Sequence, residues 1–165
     1  MPVNHGIAYH GAPSGDVAVE DADGMFITVL PATEVARDVS PAGFGWGYSG
    51  GGSYALGHSL IAHVLGAAAC CPDCGAVRHT IPHPPFPGPG LTIAWARPAR
   101  LCGWCVGGLR SLPAQALVND VIGRWRQQQQ WRYGRHQLLA WLHEYARGAG
   151  PDWAWLTPAI WAVYR

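Results

Sequence analysis

The chain has 165 residues with a formal net charge of +1, 49% apolar residues and only 13% charged ones. That length and apolar content suit a single domain with its own core and exclude a chain disordered throughout. All eleven cations are arginine, and without lysine neither a Schiff-base enzyme nor a Walker-type phosphate loop is available.

The net charge conceals an asymmetry. Residues 1–74 carry one cation, Arg37, against seven acids, a charge of −6, and residues 75–165 carry +7. The two halves can balance within one fold, or the basic half can face a polyanion. The N-terminus lacks the basic and apolar regions of a secretory signal. The most apolar run, Ser59 to Cys71, falls short of the ~20 residues a bilayer asks for. A cytoplasmic protein with no membrane partner is expected.

In chain order, Ile7 and Tyr9, then Val17 and Val19, alternate as strands do. After Asp21-Ala22-Asp23-Gly24, the run Met25–Leu30 completes a strand–turn–strand reading. Pro31 and Pro41 bracket a loop. Six glycines fall within residues 43–52, and Ser53 reads as the N-cap of a helix over Tyr54–Ala69, with Leu56, Leu60, Val64 and Leu65 at helical spacing. Residues 72–113 hold eight prolines and read as loop, with one strand at Leu91–Ala96. Pro113 opens a helix whose apolar face is Leu117, Val118, Val121, Ile122 and Trp125, and which frays into Gln127–Gln130. Arg135–Arg147 forms another, stopped by Gly148 and Gly150-Pro151. A Trp-rich tail, 148–165, closes the chain. The fold class is α+β: one domain over 1–165, an N-terminal β-hairpin packed on about three helices, with an inserted zinc-ribbon-like loop at 70–112.

That insertion carries the strongest chemical signal. Cys71-Pro72-Asp73-Cys74 and Cys102-Gly103-Trp104-Cys105 are each C-x2-C, the spacing that aims two thiolates at one ion. Together they predict a structural Zn2+ held by Cys71, Cys74, Cys102 and Cys105. His79 or His83 in place of one cysteine, and a redox dithiol, are the rival readings. Cys70 is the odd thiol. Four thiolates leave no open position for water, and no glutamate sits in the His-x-Glu context of a nucleobase deaminase, so that class is excluded.

Gly47-Tyr48-Ser49-Gly50-Gly51 matches G-x-S-x-G before a helix. Three readings compete: a hydrolase with Ser49 as nucleophile, an anion cradle at a helix N-terminus, and a turn whose aromatics Phe44, Trp46 and Tyr48 plug the core while glycines let the backbone pass. The chain is short for a doubly wound hydrolase sheet, which disfavours the first.

The phrase Gly43-Phe44-Gly45-Trp46-Gly47-Tyr48-Ser49-Gly50-Gly51-Gly52-Ser53, followed by Ala55-Leu56 and Ser59-Leu60-Ile61, resembles the core motif of a small bacterial and phage domain family of unknown function. That family is marked by an F-x-W-G-Y-G-G-S-G-P-type phrase leading into a leucine/alanine helix. The resemblance covers residues 7–66 and 113–145, and departs from the motif at Ser49, Gly51 and Ser53. It implies a fold with an N-terminal hairpin and two closing helices, and a bacterial or mobile-element origin. It implies no activity.

The back half interleaves arginine with tryptophan, the pairing used on single-stranded nucleic acids. Arg124, Arg126, Arg132 and Arg135 cluster around the Gln run and are expected to share one surface. Trp125 and Trp141 read as core. The chain is thus expected to be a small zinc-stabilised binding module without catalytic residues, contacting a protein partner. Nucleic-acid binding is the alternative.

Overall fold

A computed structural model of the chain describes residues 6–69, 112–150 and 156–164. The hairpin reading holds and extends. Strands β1 (Ala8–Gly11), β2 (Val17–Glu20) and β3 (Phe26–Val29) join β4 (Trp131–Gly134) in an antiparallel sheet of order β3-β2-β1-β4. The β2–β3 turn is fixed by Asp21, whose Oδ1 accepts the amides of Asp23 (3.0 Å) and Met25 (2.9 Å). Between β2 and β3 the register runs Val19↔Thr28 then Glu20↔Phe26, so Ile27 is the extra residue of a bulge.

Alternation sets the two faces of the sheet. Tyr9, Val17, Val19 and Trp131 point inward and are buried; His10, Glu20 and Arg132 point outward. The inner face packs on α2 (Gly51–Leu65), whose Leu56, Leu60, Ile61, Val64 and Leu65 share one core with Leu117, Ile122, Leu138, Leu139 and Leu142. A 3-10 turn, Gly66–Ala69, follows α2.

Five α-helices stand among the described residues, where about three were expected. The loop bracketed by Pro31 and Pro41 holds α1 (Glu34–Val39), capped by Thr33, whose Oγ1 accepts the Ala36 amide at 3.1 Å. Thr33 also ties α1 to α2: its amide donates to Ser59 Oγ (3.2 Å) and its hydroxyl is bonded to His58 Nδ1 (2.8 Å). That explains two buried polar side chains on α2. The helix begins at Gly51 with Gly50 as N-cap, and Ser53 is its third residue, fully buried, rather than the cap.

The helix after Pro113, α3 (Ala114–Asp120), ends before Trp125. A 3-10 turn, Ile122–Arg124, replaces its last turn, and Trp125 is extended. Gly123 folds back so closely that a Cβ there would lie 2.8 Å from the Val118 carbonyl. The Gln run is therefore a connection into β4, not a fraying helix. Helix α4 (Arg135–Gly148) starts as expected. Its Gln137 Oε1 accepts the Gly134 amide at 2.7 Å, and the Arg135 amide donates to the carbonyl of Ile7, the residue before β1. The expected tail contains α5 (Leu156–Tyr164), with Leu156 and Ile160 fully buried in the common core. Pro158 lies in its first turn, where a missing amide breaks no intrahelical bond.

Candidate functional site

The glycine-rich turn is a packing device on one side and an exposed polar rim on the other. Gly47 has φ +80°, and its amide donates to the Ile122 carbonyl at 3.0 Å. Trp46 is buried and its indole N–H donates to the Gln129 carbonyl at 3.0 Å. Phe44 packs half-buried against the same core. Tyr48 departs from the plug reading. It is 39% exposed, and its ring lies over Gly45, Gly50 and Gly52, where any Cβ would meet it. Gly51 is exposed at the first turn of α2, beside the Val39 carbonyl. Ser49 is exposed, and its hydroxyl receives the Gln115 amide nitrogen at 3.5 Å. A carboxamide has no basic nitrogen, so this contact positions the hydroxyl without activating it.

The structure parts Arg132 from Arg135. Arg132 lies on the outer face of the sheet, its Nε 3.7 Å from Glu20 Oε2, while His10 Nδ1 meets Oε1 of the same carboxylate at 2.9 Å. Arg135, three residues on at the start of α4, turns to the inner side: its Nη2 donates to the Val163 carbonyl of α5 at 3.2 Å. Arg124 donates from Nε to the Asn119 carbonyl at 3.3 Å, and Arg126 is exposed on the connection. Trp125 sits between them, half-buried rather than on a helix, and stacks on Trp131 at 4.2 Å between ring centroids. Trp141 stacks on Tyr145 and its N–H donates to Asp120 Oδ2 at 3.0 Å.

Inside the fold, Tyr9 Oη and His63 Nδ1 are 3.0 Å apart, with rings edge to face. Burial pushes the Tyr9 phenol well up, an effect the nearby Arg135 charge partly offsets. Burial also lowers the His63 pKa, and here the Arg135 charge adds to the effect. The hydrogen bond braces β1 against α2. Burial likewise pushes Tyr54 up to about 12.

The expected zinc ligands Cys71, Cys74, Cys102 and Cys105, with Cys70, His79 and His83, lie outside the described residues. Among the described residues no group of three or more His, Cys, Asp and Glu side chains is arranged to hold a metal. No helix among them is long and apolar enough to cross a membrane.

The feature that sequence reading missed is the edge of the sheet at β3. Met25 is 67% exposed, Phe26 64%, Ile27 52% and Val29 55%, where a strand packed on one side would bury every other residue. By register Phe26 and Val29 lie opposite Glu20 and Ala18, on the outer face, and the bulge releases Ile27 from pairing. The Leu30 amide donates inward to Val17 at 2.8 Å, so the amide and carbonyl of Val29 turn to the free edge. Among the described residues that carbonyl receives a 3.3 Å bond from the neighbouring Thr28 hydroxyl. The opposite edge, β4, carries the exposed Arg132 outward, the usual way of discouraging strand addition. On β3 no charge interrupts residues 25–30. The signal was in the sequence: an apolar run without alternation, which reads equally as a strand buried on both faces.

No protein-family model, no curated protein and no solved structure matches this chain.

Proposed function

We propose that this chain is a small binding module, stapled by a structural zinc, that contacts a protein partner along the free edge of β3. The observation that carries the reading is the row Met25, Phe26, Ile27 and Val29, each more than half exposed on a sheet edge whose Val29 amide and carbonyl face away from β2. Contiguous exposed apolar side chains mark interaction sites, and an open edge adds main-chain hydrogen bonds to them. The inward turn of Arg135 and the pairing of Arg132 with Glu20 favour a protein over a nucleic acid as the partner. Cys71, Cys74, Cys102 and Cys105 have the donor chemistry of a closed zinc shell, and zinc bound there stabilises the fold and offers no water to a substrate. The resemblance of the glycine turn supports a bacterial or phage setting, and with it a cytoplasmic one.

A tagged chain is expected to retrieve a protein that survives nuclease treatment and is lost in Phe26→Asp. That exposed substitution sets a second carboxylate opposite Glu20 and should cost about 1–2 kcal/mol, which leaves the chain folded. The same preparation should hold near-stoichiometric zinc by elemental analysis, absent in Cys71→Ser. Loss of the retrieved material on nuclease treatment would favour a nucleic-acid binder instead. Equal retrieval by Phe26→Asp would remove β3 from the contact.

A further inference from the structure

Resting on the reading of β3 as the contact edge, we infer that the partner contributes an extended segment with an apolar centre and basic ends, which adds to β3 as a fifth strand. Three observations select that occupant. The first is the backbone: Val29 presents its amide and carbonyl to the free edge, and among the described residues the carbonyl is met by the side chain of Thr28 alone. An extended chain supplies the missing main-chain bonds; a helix has none to give.

The second is the side chains. Phe26 and Val29 stand on the outer face of the sheet, and Met25 and Ile27 are exposed beside them, so the edge asks for apolar cover. The centre of the incoming segment is therefore apolar.

The third is charge. The described residues from Gly6 to Ala36 contain Asp16, Glu20, Asp21, Asp23 and Glu34 and no lysine or arginine. Glu20 is held by His10 and Arg132, but Asp23 is exposed immediately before β3 and Glu34 is exposed beyond its end. Arg37, the nearest cation after β3, has its guanidinium on the Ala32 carbonyl at 3.1 Å. Basic ends complement this frame, and complementary charge chiefly sets encounter rate and selectivity.

The same charges argue against a second copy of the chain. Antiparallel pairing of two β3 strands about a twofold axis at Ile27 or Thr28 lays Asp21 and Asp23 of one copy beside residues 31–35 of the other. Those residues include Glu34, with only Arg37 to offset the three acids.

The test uses the full chain and a fluorescein-labelled peptide with a Val-Thr-Val-Ile centre and paired arginines at each end. Its two controls are a twin with glutamates at the ends and a twin N-methylated along one edge. Fluorescence anisotropy at low salt should show the Arg-ended peptide binding roughly tenfold or more tighter than the Glu-ended one, with the gap closing in high salt. The N-methylated twin should lose binding, because strand addition needs its amides. Asp21→Asn with Asp23→Asn keeps the Oδ1 acceptor of the turn and should weaken the Arg-ended peptide roughly three- to tenfold.

Equal binding by the Arg- and Glu-ended peptides, or no binding by either, overturns the basic partner. Undiminished binding by the N-methylated twin overturns strand addition. Self-association of the free chain that Phe26→Asp abolishes makes a second copy the occupant instead. If the native partner is lost in Phe26→Asp while the peptide ends make no difference, the protein-binding reading stands and only this inference falls. If the native partner is retained in Phe26→Asp, the underlying reading fails, whatever the peptides do.

Discussion

Gly47→Ala should destabilise the fold by about 2–5 kcal/mol. Two costs meet at that position. Its φ of +80° places any L side chain in the left-handed region, at roughly 1–2 kcal/mol. Its Cβ would also lie 2.6 Å from the Trp125 carbonyl and the Gln127 amide, which are backbone atoms and cannot rotate away. Forcing them apart adds the ~1–3 kcal/mol typical of overpacking. Gly24 supplies the control: its φ is +79°, but nothing lies within 4 Å of its added Cβ. Gly24→Ala should therefore show the conformational cost alone, about 1–2 kcal/mol. Urea midpoints separate the two variants, and equal midpoints would mean that the contact of the turn with residues 122–129 is not the constraint described.

Trp131→Ala should cost about 3–5 kcal/mol, the range for emptying a buried indole site. The ring is 8% exposed, stacks on Trp125 at 4.2 Å and meets Trp46 edge-on at 5.7 Å. It crosses β1 at Gly11, its register partner, where a Cβ would collide with the indole. One side chain thus joins β4, β1, the glycine turn and the connection after α3. Its buried N–H has no hydrogen-bond acceptor among the described residues, so no hydrogen bond described there is lost in Trp131→Phe. That variant keeps one aromatic ring in the site and should cost about 1–2 kcal/mol, clearly less than Trp131→Ala. Thermal or urea unfolding of the two variants checks the difference. A Trp131→Phe variant as unstable as Trp131→Ala would point to the indole N–H instead of ring packing.

How much of this was legible in the sequence differs from element to element. The alternation of Tyr9, Val17 and Val19 and the Asp-Gly turn predict β1 to β3, and the leucine spacing predicts α2 and α4. Strand β4 was hidden by its length. Trp131 and Tyr133 do alternate with Arg132, but four residues between a glutamine run and a helix give too little period to register. Helix α1 was hidden by its flanking prolines, although Thr33 followed by Glu34 is a sound helix start. Helix α5 was hidden by Pro158, which a first turn tolerates. The parting of Arg132 from Arg135 was hidden for a related reason. Neighbours in sequence need not be neighbours in space: the turn from β4 into α4 sends Arg132 outward and Arg135 inward. The exposed edge depends on sheet order, because only the pairing of β4 with β1 puts β1 inside and leaves β3 at the rim.

Hydrogen exchange on the chain with and without its retrieved protein partner tests the account most directly. The Val29 amide faces the free edge and should exchange readily in the free chain, then become protected in the complex. The exposed first-turn amide of Gly51 should be unchanged. Protection confined to Gly51, or to the connection around Arg124 and Arg126, with Val29 still exchanging freely, would contradict the assignment of β3 as the binding edge.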